Sequence, residues 1–224
     1  NVPAPELINN GSIIPPQIVP FHTGAERVKT NAHTVDANTV QDIIDNLDES
    51  DAAKVLVAVP SSRLLGNMLG QTDLLQQMRD RGYHVLHVTS KFGAYIDTTK
   101  VNREQFFNTL TEWGADPSKK FVIFHYSILS EGINVPGLTH CILLRNLNVV
   151  EMAQTIGRVI RLDKNDAADI RSGAITAGKF EMYRKPCGYV TIPVHATYGA
   201  HITKRLQNVV DAIFVKGQPP LSLV

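Results

Sequence analysis

The sequence contains little cysteine and no long hydrophobic run. Two cysteines among 224 residues are too few for a disulfide framework in a chain of this size. No apolar stretch approaches the roughly 20 residues of a membrane-spanning helix, and the amino terminus lacks the basic start and apolar stretch of a signal peptide. These absences predict a soluble, cytoplasmic protein with no membrane partner, in which Cys141 and Cys187 are buried free thiols.

An excess of charge of either sign is also missing. Lys plus Arg number 22 and Asp plus Glu number 21, which gives a formal net charge of +1. Such a balanced chain has no overall positive field to attract nucleic acid. Any contacts with phosphate must therefore be local and come from loops and helix ends.

A complete phosphate-binding loop and a metal site are absent as well. Gly173–Phe180 comes close to the pattern G-x-x-x-x-G-K-[ST] but ends in Phe180, so it lacks the hydroxyl that would hold Mg²⁺. The segment before it, Asp163–Arg171, is charged and does not resemble the buried strand that such a loop follows. The eight histidines lack cysteine or carboxylate partners at ligand spacing, so no metal site is predicted.

What the sequence does contain is an alternation of apolar runs and amphipathic stretches. The apolar runs are typical of buried strands and cover Lys54–Val59, His84–Val88, Phe121–Phe124, His140–Leu144 and Gly188–Val194. The helical patterns cover Val40–Leu47, Leu64–Arg81, Val101–Trp113, Val149–Leu162 and Tyr198–Phe214. This alternation predicts an α/β fold with a mostly parallel sheet, whose ligands bind outside the carboxyl ends of the strands.

The two ends of the chain depart from the alternation. Residues 1–38 are rich in asparagine and proline, and the prolines exclude any helix longer than a turn. They predict an irregular arm or interdomain linker that packs on another surface. Residues 39–171 then form the α/β domain, and residues 172–224 form a C-terminal extension packed on it.

The helix predicted at Val149–Leu162 carries two arginines on its polar face. Gln154, Arg158 and Arg161 are spaced by four and three residues, so they share the face opposite the apolar positions. Gly157 in the middle costs about 1 kcal/mol relative to Ala, which makes sense if a backbone or ligand comes close. Taken alone, this pattern fits either a solvated face or two guanidiniums directed at a phosphate.

Two motifs in order resemble superfamily 2 helicases. Gln154–Arg161 (QTIGRVIR) has the Q-x-x-G-R-x-x-R order of helicase motif VI. The loop after the strand Phe121–Phe124 contains Gly132–Pro136 (GINVP), similar to helicase motif V, with Asn134 where many relatives have aspartate. The order and separation of the two motifs favour the phosphate interpretation of the helix.

The resemblance covers about Val40–Leu162 and implies the second RecA-like motor domain of a helicase or translocase. Residues after Arg171 have only a general likeness to phage or restriction-type helicases. The family pattern implies Arg158 and Arg161 as catalytic arginine fingers on the γ-phosphate of ATP, with Gln154 coupling them to the motif V loop. Contact with the nucleotide is implied for Gly132, Asn134 and Gly157.

The same resemblance implies contacts with the nucleic-acid backbone. Lys54–Arg63 is similar to helicase motif IV, and His84–Lys91 is similar to the strand and loop that follow it. Polar side chains at these strand ends and in the motif V loop would make the contacts: Ser61, Ser62, Arg63, Thr89, Lys91, Ser127 and Ser130.

The missing phosphate loop implies that the ATP site is shared. ATP and Mg²⁺ are expected to be bound mainly by an N-terminal RecA-like domain of the same protein, so the isolated chain is expected to be inactive. The expected nucleic acid is DNA in preference to RNA. Two alternatives remain open: a non-catalytic helicase-like docking module for nucleic acid or protein, and another nucleotide-binding α/β enzyme that uses Gly173–Lys179.

Overall fold

A mixed sheet organises the part of the chain that the computed structural model describes, namely residues 2–47, 53–126, 135–196 and 200–219. Its strands are β1 (Pro16–His22), β2 (Lys54–Ala58), β3 (His84–Thr89), β4 (Gly93–Ile96), β5 (Thr99–Val101), β6 (Phe121–His125), β7 (His140–Leu143) and β8 (Gly188–Val194). They lie in the order β1-β8-β7-β2-β6-β3-β4-β5. Neighbours from β1 to β3 pair in parallel, whereas β4 and β5 are antiparallel.

Helices cover both faces of this sheet. They are α1 (Ala4–Asn9), α2 (Ala32–Asp45), α3 (Ser62–Gln71), α4 (Leu74–Asp80), α5 (Arg103–Ala115), α6 (Val149–Val159), α7 (Lys164–Ser172) and α8 (Ala200–Val210), with a 3₁₀ turn at Phe180–Met182 and a π-helical turn at Asp211–Val215. The buried side chains of α5, α6 and α8 belong to one hydrophobic cluster, and those of α2, α3 and α4 to another. The predicted α/β fold with a mostly parallel, helix-flanked sheet is confirmed.

The prediction of one continuous helix at Leu64–Arg81 is wrong, because the structure has two helices there. Thr72 takes an extended conformation with φ −128° and ψ 170°, so the chain divides into α3 and α4. The Thr72 hydroxyl accepts a hydrogen bond from the Leu74 amide at 3.2 Å. Local hydrogen bonding by threonine competes with the helical backbone pattern, and the apolar periodicity continues across the break.

The hairpin formed by β4 and β5 was not predicted from the sequence. Asp97 turns the chain with φ 54°, and its carboxylate accepts a hydrogen bond from the Val85 amide at 2.9 Å. The same carboxylate lies 2.9 Å from the His84 ring nitrogen Nδ1. The hairpin therefore extends the sheet beyond β3 through short, half-exposed strands whose apolar pattern is weak.

The N-terminal arm contributes an edge strand to the sheet. β1 pairs in parallel with β8, with Pro16 opposite Gly188 and Pro20 opposite Ile192. Prolines are tolerated there because the outer side of an edge strand needs no amide donors. The six-residue helix α1 is longer than the single turn expected, and it has proline at its first positions, where no intrahelical amide is required.

Two other features bear on the sequence predictions: the environments of the two cysteines and the lengths of the helices. Cys141 is buried as predicted, but Cys187 lies just before β8 and is partly exposed. None of the described helices is long and apolar enough to cross a bilayer.

Candidate functional site

Helix α6 presents Arg158 in its last turn. Asn148 caps the start of the helix, where its side chain accepts a hydrogen bond from the Glu151 amide at 2.9 Å. The apolar face of α6 is fully buried through Met152, Ile156 and Val159. Arg158 is half-buried on the polar side, and burial lowers the pKa of its guanidinium, with the charge of the nearby Arg161 lowering it further.

Arg161 does not lie on this helix, contrary to the sequence expectation. Helix α6 ends at Val159, and Arg161 forms an antiparallel bridge with Ile13 of the N-terminal arm. Next to it, the Ile14 amide donates to the Ile160 carbonyl at 2.9 Å. The exposed Arg161 side chain is therefore placed by extended backbone, because the arm takes over the hydrogen bonding where the helix stops.

Lys185 of the C-terminal extension holds the same segment from the other side. Its ammonium donates to the carbonyl of Arg161 at 2.9 Å and to the carbonyl of Leu138 at 2.6 Å. Burial lowers the pKa of Lys185 to about 8, against the opposing effect of Asp163. At neutral pH it stays mainly charged, so an ammonium joins the backbone after α6 to the loop before β7.

The strand β8 also comes very close to the end of α6. A Cβ added at Gly188 would lie 2.3 Å from the Val159 carbonyl oxygen, so only glycine fits there. Gly157 is different, because a Cβ there would meet no described atom within 4 Å beyond its own helix. Gln154 on the same polar face is exposed. Any close neighbour of Gly157 must therefore come from outside the described residues.

His125 ends β6 close to Arg158. It is 1% exposed, and neither ring nitrogen has a hydrogen-bond partner among the described residues. Burial lowers its pKa to about 3, with the charges of Arg145 and Arg158 acting in the same direction. His125 is therefore a neutral imidazole at neutral pH, near the charges of Arg145 and Arg158 at the carboxyl end of a central strand.

Arg145 follows β7 and was missed by the sequence analysis. Its guanidinium pairs with the Glu151 carboxylate at 2.5 Å and lies 5.1 Å from the centroid of the Tyr126 ring. Arg145 thereby links the start of α6 to the first residue after β6. Its position directly beyond a strand end was the available signal, since ligand-facing residues of parallel sheets lie there.

Ser61, Ser62 and Arg63 lie where α3 begins after β2. Ser61 is the N-cap, and its hydroxyl accepts a hydrogen bond from the Leu64 amide at 3.0 Å. Arg63 is exposed in the first turn. The start of a helix favours anions because of its free amides and dipole, so the predicted phosphate-contact position coincides with a favourable local field.

Thr89 and Lys91 lie at the carboxyl end of β3 in different settings. Thr89 is 3% exposed, and its hydroxyl accepts a hydrogen bond from the Phe92 amide at 2.9 Å. This hydrogen bond stabilises the turn that follows β3. Lys91 is exposed, with its ammonium 5.3 Å from the centroid of the Phe92 ring. Lys91 is thus the better placed of the two to reach a ligand.

The strand order brings the predicted contacts Ser61–Arg63 and Lys91 to one edge of the sheet, together with Tyr126, which was not predicted as a contact. Strands β2, β6 and β3 are neighbours and run in parallel, so Ser61–Arg63, Tyr126 and Lys91 follow adjacent strand ends. The predicted site residues of the motif V loop lie outside the described residues: Ser127, Ser130, Gly132 and Asn134.

The segment Gly173–Phe180 has no strand before it. It follows α7, which ends at Ser172 and is capped by Gly173 with a φ of 79°. The Gly178 amide donates to the Tyr183 hydroxyl at 2.8 Å. A phosphate loop joins a buried strand to a helix, so this local geometry does not support nucleotide binding through Gly173–Lys179.

Residues 38–163 match the family model described as helicase conserved C-terminal domain. This chain belongs to that family. The match spans more than half of the sequence and includes α6 and Arg161. The suspected resemblance to the second RecA-like domain of superfamily 2 helicases is therefore confirmed at the level of the family.

Solved structures share the fold at low sequence identity. The ATP-dependent Type ISP restriction-modification enzyme LlaBIII bound to DNA matches with a TM-score of 0.56 and 11% identity, over 96% of this chain and 15% of that chain. The C-terminal part of the Fun30 ATPase domain matches at 0.43 and 13%, over 80% and 53%. Mss116p DEAD-box helicase domain 2 bound to an RNA duplex matches at 0.43 and 10%, over 86% and 68%.

The LlaBIII comparison confirms the RecA-like fold class. This helicase domain spans only a small part of the LlaBIII chain. No curated protein matches the sequence.

Proposed function

We propose that this helicase domain is the second motor domain of an ATP-dependent helicase or translocase and supplies Arg158 and Arg161 as arginine fingers. The observation that carries the proposal is the arrangement of the two arginines: α6 holds the half-buried Arg158 in its last turn, and Arg161 follows on extended backbone, close enough for its charge to act on Arg158. Two neighbouring guanidiniums, one half-buried on α6 and one exposed just after it, can both bind the oxygens of a single polyanion. The triphosphate of ATP is such a polyanion.

The proposed roles follow from how each arginine is held. Helix α6 fixes Arg158 through its buried apolar face, whereas the arm and Lys185 fix the backbone of Arg161. Guanidiniums that are positioned in advance stabilise developing negative charge without reorganising during the reaction. ATP, when bound with Mg²⁺, supplies the phosphoryl group on which that charge develops, and an N-terminal RecA-like domain would hold both.

The proposed nucleic-acid contacts lie at the ends of β2, β6 and β3. The start of α3 with Arg63 and the exposed Lys91 offers positive potential at neighbouring strand ends. Gln154 on α6 would couple this track to the nucleotide, and Gly157 would face the first domain. We propose DNA as the substrate because LlaBIII, which shares the fold with a TM-score of 0.56, is bound to DNA.

Nucleic-acid-stimulated ATP hydrolysis by the full-length protein tests the proposal. Arg158→Ala and Arg161→Ala should each reduce the stimulated rate by roughly 10³-fold or more, since an arginine finger contributes about that much to phosphoryl transfer. Arg171→Ala is the matched control, because Arg171 is exposed at the end of α7, and it should retain the wild-type rate.

The same assay separates the motor from a docking module. A docking module would hydrolyse no ATP, so replacing Arg158 could not lower a rate of ATP hydrolysis. The motor assignment is wrong if the Arg158 and Arg161 variants keep the stimulated rate of the Arg171 control.

A further inference from the structure

Helices α6 and α8 border an open groove that the proposed ATP and strand-end contacts do not use. Its volume is about 350 Å³. It lies between the first turn of α6 and the exposed side of α8. The residues that line it are Val149, His201, Lys204, Arg205, Asn208 and Val209.

The wall formed by α8 is rich in groups that bind anions. On this helix Ile202, Leu206 and Val209 are buried, which directs the intervening positions outward. His201, Lys204 and Arg205 occupy those positions at helical spacing of three and four residues, so they share one face. Arg205 is held towards the start of α6, with its guanidinium 3.4 Å from the Asn146 side-chain oxygen.

The nearby carboxylates are already engaged. Glu151 on α6 pairs with Arg145 and accepts a hydrogen bond from Asn148. Asp211 beyond α8 accepts a hydrogen bond from Gln207 at 3.0 Å. Neither acidic residue lines the groove, whose exposed surface is mostly apolar and whose polar and charged groups come from His201, Lys204, Arg205 and Asn208.

The groove also has the length of a short piece of backbone. Its wall runs from His201 to Asn208, which is about 10 Å along a helix that rises 1.5 Å per residue. One nucleic-acid strand advances about 3.4 Å per nucleotide along the helix axis. A wall of this length faces only a short stretch of backbone, and its two cations, Lys204 and Arg205, can neutralise about two phosphates.

The position of the groove favours nucleic acid over an acidic protein. Helix α6 starts after β7, and α8 starts after β8, so Val149 and His201 lie towards the carboxyl ends of these strands. Strand β7 is the direct neighbour of β2, which ends at the proposed contacts Ser61–Arg63. The groove therefore lies at the same carboxyl-end edge of the sheet, on the other side of β2 and on the face opposite to α3.

We propose that the groove between α6 and α8 binds the phosphate backbone of the nucleic acid and extends its track beyond β2. Lys204 and Arg205 make the phosphate contacts, and His201 borders them. This inference rests on the proposed function, because it assigns an additional surface to the same nucleic-acid ligand.

Binding of a fluorescent DNA duplex to the full-length protein, measured by anisotropy over a range of salt concentrations, tests the inference. The double variant Lys204→Glu with Arg205→Glu should weaken binding about tenfold or more and lower the salt slope by about two, since each lost phosphate contact lowers it by about one. The single variant Lys204→Glu should lower the slope by about one. Because Lys204 is exposed, the single variant still tests the inference if replacing the half-buried Arg205 impairs folding.

The matched control is Lys164→Glu with Arg171→Glu on α7, which makes the same change in charge at exposed positions. It should keep the wild-type affinity and slope. If the groove variants behave like this control while the wild type binds DNA, the groove inference is wrong and the proposed function stands. If the wild type does not bind DNA, both are wrong.

An acidic-protein ligand gives a different result. Polyglutamate would then bind the wild type and lose affinity on Lys204→Glu, while DNA affinity would not change. That outcome overturns the assignment of the groove to nucleic acid.

Discussion

Among the single side chains, His125 has the most unusual environment. It is almost completely buried, and the two nearby arginine charges add to the effect of burial in holding its pKa at about 3. An unfolded chain would bind a proton at an ordinary pKa of about 6.5. Between these values the unfolded state binds more protons than the folded state, so acid favours unfolding.

We expect the pH dependence of folding to depend on this residue. The free energy of unfolding should fall as the pH drops from about 6.5 towards 3, with His125 contributing up to about 1.4 kcal/mol per pH unit. His125→Phe removes that contribution, so urea unfolding of the variant should show a shallower loss of stability in acid. Parallel pH profiles for wild type and variant would contradict the assignment.

Arg145 and His125 were missed because the sequence shows their positions after or at a strand end but not their neighbours. The arginines in Gln154–Arg161 could be recognised from the sequence because their order matches a helicase family motif. Arg145 and His125 belong to no helical period, and only the pairing of β6 and β7 with β2 brings them to the site. Their importance depends on burial and neighbouring charge, which arise from contacts between distant parts of the chain.

Among the secondary-structure elements, α6 contains a glycine that its own domain does not require. Nothing among the described residues would touch a methyl group at Gly157 outside the helix. Glycine inside a helix is less favourable than alanine by up to about 1 kcal/mol. This cost is explained if the first motor domain approaches the helix surface at Gly157.

Gly157→Ala should therefore separate stability from activity. The variant should raise the free energy of unfolding by up to about 1 kcal/mol, while stimulated ATP hydrolysis by the full-length protein falls because the methyl group obstructs the partner domain. Gly70→Ala is the matched control, since Gly70 is also helical with open space around it. It should be stabilised without losing activity, and equal activities of the two variants would contradict the proposed approach.

The elements themselves were predictable to different degrees. Long apolar runs correctly indicated the central strands, because burial on both faces leaves a continuous hydrophobic signal. The β4–β5 hairpin and the edge strand β1 lack that signal, since their sides are partly exposed. Helix α7 was missed because it is polar and short, although the Asp163 side chain caps its start.

At the scale of the complete domain, residues from both ends of the chain hold the backbone of the segment that follows α6. The N-terminal arm bridges to Arg161 through Ile13, and Lys185 binds the Arg161 carbonyl from the C-terminal extension. Gly188 packs on the last turn of the same helix. Arg161, the proposed second finger, therefore has its backbone held by residues on both sides of the matched family region, 38–163.

The most direct test of the central claim compares two ligands on the full-length protein bound to nucleic acid. Affinity for ADP alone and for ADP with aluminium fluoride, a mimic of phosphoryl transfer, should be measured for wild type and Arg158→Ala. An arginine finger acts mainly in the transition state. We predict that the variant loses about 100-fold or more in affinity for the mimic but changes its affinity for ADP by less than about threefold. Equal affinity of both proteins for the mimic would contradict the account.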